Sequence, residues 1–192
     1  MIYTLDSFMV CNEKKNLRTP LSMIINPLIT SEEISRRVSE MGKEILDKTG
    51  PTITLIAILK GSICFAADLL RSIEGEVRIG FISVSSYSGT ESQNIRMHGM
   101  DLEDVTGRDI LVVEDIIDSG KTMEYICEKL SELSPKSVKI CTLLNKPLNR
   151  KNTLEIDYVG FEIENHFVVG YGLDIDQKYR NLPYIGYVDT PD

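Results

Sequence analysis

The chain has 192 residues, 42% of them apolar and 26% charged, a length and balance that suit one globular domain and exclude disorder of the whole chain. Its 29 acidic residues against 21 basic ones leave a formal net charge of -8, which repels nucleic acid at long range, so any phosphate affinity must be built locally. The four cysteines and two histidines have no paired metal-ligand spacing, and no zinc site is expected.

The opening segment, MIYTLDSFMV, lacks a basic stretch leading into an apolar one. No run reaches the roughly 18 consecutive apolar residues of a membrane span. A cytoplasmic protein with reduced thiols, in contact with neither membrane nor nucleic acid, is the expectation.

Two short strands are expected at 1–10 and 21–26, around the basic residues Lys14, Lys15 and Arg18. Thr30 and Glu33 match a capping box, and Ile34, Val38, Met41 and Ile45 then fall on one face of a helix ending near Thr49-Gly50-Pro51. ITLIAIL at 53–59 is a continuous apolar, β-branched run, the pattern of a strand covered on both faces. Lys60-Gly61-Ser62 follows, then a helical pattern through Ile73 and a strand at 77–84, which makes a parallel crossover the economical topology. Residues 85–106 turn to Ser, Gly, Asn and charge without a sustained apolar period, and a long mobile loop is expected there.

Asp109 to Val113 resumes the buried-strand pattern and runs into EDIIDSGKT. Met123, Ile126, Cys127, Leu130 and Leu133 recur at helical spacing until Pro135 stops them. A strand at 137–144 completes a second β-α-β unit, and 156–163, 166–171 and 182–188 read as further strands. No repeat, low-complexity tract or linker divides the chain. The expected fold is a single α/β domain over 1–192: a mainly parallel central sheet flanked by helices, with a small hood drawn from both termini.

In open α/β sheets the ligand crevice lies beyond the carboxyl ends of the strands. Glu114 and Asp115 are expected directly after a strand, and Ser119, Gly120, Lys121 and Thr122 where a helix begins. Amides at such a helix start are free to hold a phosphate, and the Ser119 and Thr122 hydroxyls add donors. The plainer alternative is that Asp118 or Ser119 caps the helix and the acids are solvated turn residues. A nucleoside-triphosphate P-loop is excluded, because that motif needs a glycine where Asp115 stands. Three carboxylates beside an anion cradle instead fit a sugar phosphate whose hydroxyls need acceptors, plus a group able to take a proton.

VVEDIIDSGKT resembles the 5-phosphoribosyl 1-diphosphate motif of the type I phosphoribosyltransferases. LKGS at 59–62, SSY at 85–87, LLNKP at 143–147, VGFEIENHFVVGYGLD at 159–174 and YRNLPYIG at 179–186 are similar, in family order, to the hypoxanthine-guanine branch. The resemblance implies that Glu114 and Asp115 accept from the ribose hydroxyls, while Asp118, Ser119, Gly120, Lys121 and Thr122 hold the 5-phosphate. It gives Asp118 a second role, taking or relaying the proton from purine N7; a purely positioning role is the alternative. Lys60 and Gly61 resemble the pyrophosphate loop, where a cis peptide can turn an N–H toward the leaving group. Ser62 departs from the Gly or Ala often found next in that loop. Ser86 and Tyr87 resemble loop residues that cover the diphosphate, and Arg180 the arginine that neutralises it.

Lys146, by composition an exposed turn cation, is implied to donate to the oxygen on purine C6, with Phe167 stacking on the base and Val168 meeting its far edge. A C6 amino group would face Lys146 donor to donor, which disfavours adenine. Asp174 is implied to line the purine site and to hold Mg²⁺, partly through water, with Glu114 and Asp115 as further possible ligands and pyrophosphate oxygens supplying the rest. The implied partners are 5-phosphoribosyl 1-diphosphate, hypoxanthine, guanine, IMP, GMP and pyrophosphate, in a homodimer or homotetramer. A xanthine-preferring enzyme, or a regulatory relative that binds without catalysis, is the competing reading.

Overall fold

The computed structural model describes residues 24–86, 95–101 and 104–188, with the backbone alone at 85–86 and 95–101. Helix α1 (Ser31–Thr49) starts where the sequence signals it. Thr30 Oγ1 accepts from the Glu33 amide at 3.2 Å, and Glu33 Oε2 accepts from the Thr30 amide at 2.9 Å. Such a reciprocal cap is worth about 1 kcal/mol. Ile34, Val38, Met41 and Ile45 are all buried on one face, and the helix stops at Gly50, whose φ of 80° suits glycine.

The α1 stripe packs on one face of a six-stranded sheet. The strands are β2 (Thr52–Leu59), β3 (Glu76–Ser86), β4 (Ile95–Asp101), β5 (Asp109–Ile117), β6 (Ser137–Asn145) and β7 (Tyr158–Glu162). Their spatial order is β4-β3-β2-β5-β6-β7, all parallel except β4. Helices α2 (Ile63–Ser72) and α3 (Lys121–Ser131) make the β2-α2-β3 and β5-α3-β6 crossovers. One apolar cluster joins α1 and α2 to Leu55, Ala57, Leu111 and Val113; a second joins α3 to Ile56, Ile58, Ile110 and Val112. Alternate residues of each central strand therefore feed opposite layers, which is why these strands read as unbroken apolar runs. Arg37 ties α1 to the edge strand, donating to the carbonyls of Val159 at 2.8 Å and Gly160 at 3.1 Å.

The hood is a separate antiparallel sheet of β1 (Ile25–Ile29), β9 (Ile185–Val188) and β8 (Phe167–Val169), in the order β1-β9-β8. It joins an N-terminal segment to C-terminal ones, as expected.

Several elements differ from those that the sequence predicts. The strand expected at 21–26 is found at Ile25–Ile29; it carries Pro27 on a sheet edge, where the missing N–H is tolerated. The strand expected at 1–10 lies outside the described residues. The expected loop at 85–106 contains a strand, β4, whose partner is β3. The register there passes from Ile82 opposite Met100 to Ser83 opposite His98, which leaves Gly99 as the extra residue of a bulge. A bulged edge strand lacks the long apolar run that marks its buried neighbours. The two C-terminal strands are shorter than expected, because Gly170 turns the chain at φ 96° and Pro183 precedes β9.

Candidate active site

The chain leaves β2 toward β3 on one side and returns to β5 on the other, so β2 and β5 flank the topological switch point. A crevice outside their carboxyl ends is the place where such sheets bind ligands. Two adjoining cavities lie there, of about 150 and about 380 Å³, sharing Ile116 and Asp118 in their walls.

The smaller cavity is lined by Glu114, Asp118, Ser119, Gly120 and Thr122. Gly120 takes the N-cap position of α3 at φ 81°, a left-handed conformation natural to glycine, and no side chain caps the helix. The capping alternative for Asp118 or Ser119 is thereby excluded. The first amides of α3 are left without a side-chain acceptor, at the positive end of the helix dipole. The cavity therefore suits an oxyanion of phosphate size. Lys121 is exposed and lines neither cavity, unlike its neighbours Gly120 and Thr122.

The larger cavity is lined from four directions. Lys60 and Gly61 come from the turn after β2, Asp115 from β5, Lys146 from the end of β6, and Phe167, Val168, Asp174 and Arg180 from the hood and its loop. Glu114 and Asp115, expected directly after β5, instead lie inside it, with Glu114 opposite Thr142 of β6. Strand alternation explains why Glu114 lines one cavity and Asp115 the other. Burial, and then the neighbouring Asp115 carboxylate, push the Glu114 carboxyl well above the ordinary carboxylate range.

The non-proline cis peptide is Leu59-Lys60, one bond earlier than Lys60-Gly61. A Cβ on Gly61 would run into the Asp115 carboxylate, and one on Gly172 into the Gly61 carbonyl, so glycine at both positions lets the hood loop, the β2 turn and β5 close on one another. Ser62 is fully buried, and its hydroxyl donates to the Ile58 carbonyl at 2.6 Å, which satisfies the extra polar atom that departs from the family pattern.

Lys146 is buried to 7% exposure, the opposite of the turn cation that composition suggests. Its backbone N–H donates to Ile117 at 2.9 Å, and its Nζ lies 3.7 Å from Asp118 Oδ2. Phe167 remains half exposed while Val168 is buried. Asp174 and Arg180 pair at 2.6 Å; Asp174 also accepts from the Gln177 amide, and Arg180 donates to the Gly172 carbonyl at 2.6 Å. Ser86 ends β3, and Tyr87 lies outside the described residues. Asn152, not anticipated, lies against Gly120.

No group of three or more His, Cys, Asp or Glu gathers as a metal cage among the described residues. Cys141 is buried, Cys64 and Cys127 are half-buried, and all three are free thiols. No helix among the described residues is long and apolar enough to cross a membrane.

A parallel sheet with a helix-start cradle suited to an oxyanion, beside a larger mixed cavity, defines an α/β protein with a ligand crevice at its topological switch point. The phosphoribosyl transferase domain family matches residues 29–176. A hypoxanthine-guanine phosphoribosyltransferase of Mycobacterium avium is 46% identical over 171 residues, 84% of each chain. One from Bacillus subtilis is 47% identical over 163 residues, 83% of this chain and 90% of the relative. The crystal structure of a Bacillus anthracis hypoxanthine-guanine phosphoribosyltransferase superposes with a TM-score of 0.80 at 44% identity, covering 88% of this chain and 99% of the other. The chain belongs to the type I phosphoribosyltransferase family, and within it closely resembles the hypoxanthine-guanine phosphoribosyltransferases.

Proposed function

We propose that the chain transfers the 5-phosphoribosyl group from 5-phosphoribosyl 1-diphosphate to N9 of hypoxanthine or guanine, releasing pyrophosphate and forming IMP or GMP in purine salvage. The observation that carries this reading is the pair of cavities with a common wall at Asp118, one a helix-start anion cradle, the other holding the buried Lys146. A ligand spanning both needs a phosphate at one end and a hydrogen-bond acceptor at the other. A 6-oxopurine ribonucleotide has both.

In this reading the 5-phosphate occupies the smaller cavity, on the α3 amides and the Ser119 and Thr122 hydroxyls. Glu114 and Asp115 accept from the ribose hydroxyls, one from each face of β5. Lys146 donates to the C6 oxygen, Phe167 covers the ring and Val168 borders its far edge. The bond from C1 to the diphosphate breaks, C1 bonds to N9, and Asp118 takes the proton leaving N7. As C1 loses the diphosphate the sugar gains positive character, and the leaving oxygens gain negative charge that the Lys60-Gly61 turn and Arg180, which line the same cavity, would stabilise.

Asp174 fits Mg²⁺ as one hard carboxylate facing a cavity whose other oxygens would come from diphosphate and water, the usual arrangement for this ion. When bound, Mg²⁺ would lower the cost of charge building on the diphosphate. The test is formation of IMP and pyrophosphate from hypoxanthine and 5-phosphoribosyl 1-diphosphate with Mg²⁺; folded protein that yields neither would favour the regulatory reading.

A further inference from the structure

The turn after β6 begins at Lys146 in the larger cavity and runs behind residues that line the smaller one. At its start the Lys146 N–H donates to Ile117 at 2.9 Å; further on, the Lys151 N–H donates to the Ser119 carbonyl at 3.2 Å. Asn152 then lies across the start of α3. Its Nδ2 donates to Glu124 Oε2 at 3.2 Å, and its Oδ1 is buried without a hydrogen-bond partner. A Cβ on Gly120 would come within 2.5 Å of that Oδ1, so the loop that forms the anion cradle rests directly on the Asn152 amide.

We propose that Asn152 is a positioning residue that holds the anion cradle at a fixed height on the turn that starts at Lys146, and so sets the affinity for the 5-phosphate. The inference rests on the reaction proposed above and adds a residue that touches no substrate. Three features carry it. The strap starts at Lys146 in the larger cavity and is tied by backbone bonds to Ile117 and Ser119 in the wall of the smaller one. The amide occupies the space under Gly120 that a side chain there would need. Finally, Asn152 Oδ1 is buried without a hydrogen-bond partner although the residue is only half-buried, which an asparagine free to turn that oxygen to water would avoid.

The prediction is specific to the phosphate end. Asn152→Ala should raise the KM for 5-phosphoribosyl 1-diphosphate roughly 10-fold, since small displacements of a binding group cost that much or more. The KM for hypoxanthine and kcat should stay within about twofold. Glu124→Gln, which keeps an acceptor for Asn152 Nδ2, should behave as wild type, whereas Glu124→Ala should reproduce part of the Asn152→Ala effect. Combining Asn152→Ala with Glu124→Ala should add nothing beyond Asn152→Ala. Thermal unfolding of each variant serves as the control for folding.

An unchanged KM for 5-phosphoribosyl 1-diphosphate in Asn152→Ala would overturn the proposal, as would equal rises for both substrates, the mark of general loosening. If the wild-type chain turns over no base, the reaction is wrong and not the strap. Calorimetric binding of 5-phosphoribosyl 1-diphosphate then makes the same comparison: about 10-fold weaker binding to Asn152→Ala supports it, and equal binding refutes it.

Discussion

Lys146 Nζ lies 3.7 Å from Asp118 Oδ2, with the lysine side chain only 9% exposed and the aspartate side chain 53% exposed. The separation is at the long end for an ion pair, so the ammonium retains donor capacity for a ligand entering between the two. Both groups face one cavity, and under the proposed reaction they would meet the C6 oxygen and N7 of one purine. Lys146→Met should therefore raise the KM for hypoxanthine and guanine at least about 10-fold and leave that for 5-phosphoribosyl 1-diphosphate nearly unchanged, since one charge-assisted hydrogen bond is lost. Steady-state kinetics in both substrates would check this.

Asp118→Asn keeps the size of the side chain and removes its charge. The chemical rate should fall by roughly 10²- to 10⁴-fold while binding of 5-phosphoribosyl 1-diphosphate changes little. Single-turnover rates paired with binding isotherms separate the two effects. A loss confined to binding would make Asp118 a positioning residue.

Glu114 should make both stability and ligand binding depend on pH. Its carboxyl is raised in the fold well above the ordinary glutamate range, first by burial and then by Asp115. The folded state thus favours the protonated form. The favourable contribution is complete below the unfolded-state value and is lost as pH rises from there through the raised folded one. Glu114→Gln should abolish this decline, so its melting temperature should exceed that of wild type increasingly across that window. Ribose hydroxyls donate to the ionised form, so sugar-diphosphate binding should release a proton in wild type and not in Glu114→Gln. Calorimetry in buffers of different ionisation enthalpy reads that proton directly.

Gly61→Ala introduces a Cβ where the Asp115 carboxylate already sits. Either the turn after β2 or the acidic pair must move, and kcat/KM should fall by about 100-fold or more. Circular dichroism should still report the native content of helix and strand. Ser62→Ala is the contrasting change: it deletes only the hydroxyl that donates to Ile58. It should cost about 1 kcal/mol of stability by denaturant unfolding and leave turnover within a few-fold, because its side chain points away from the crevice into the protein.

What the sequence made legible followed from period and punctuation. The Thr30–Glu33 box, the apolar runs of β2 and β5, and the Gly120 helix start are all local signals, and each appears where it was expected. Strand β4 was hidden because an edge strand with a bulge at Gly99 has neither a two-sided apolar run nor clean alternation. The extension of β5 through Glu114 and Asp115 was hidden for a related reason. Acids in a strand read as a turn until the crevice that accepts them is known. Burial of Lys146 is a tertiary property: its neighbours Phe167 and Val168 arrive from the hood, and only the family resemblance pointed there. The Asp174–Arg180 pair was visible as two separate motif residues but not as a pair, since the intervening loop folds back through positive φ values at Asp176, Gln177 and Tyr179. Asn152 left no signal, because its role depends on Gly120, far away in the chain.

Chelation of Mg²⁺ should suppress turnover while leaving the fold intact, because Asp174 is a single carboxylate and the protein has no cage to collapse among the described residues. Restored activity on adding Mg²⁺, with no shift in the melting temperature of the ligand-free protein, would fit an ion carried largely by the diphosphate. A large stabilisation by Mg²⁺ alone would contradict it.

The identity of the base tests the central claim most directly. Purified chain, Mg²⁺ and 5-phosphoribosyl 1-diphosphate are incubated with hypoxanthine, guanine, xanthine, adenine, orotate and uracil in turn, and the nucleotides are separated chromatographically. With Lys146 donating to a C6 oxygen, IMP and GMP should form much faster than AMP, XMP, OMP or UMP. Dominant XMP would contradict the base assignment, AMP at a comparable rate would contradict the role of Lys146, and no nucleotide from any base would contradict the proposed reaction.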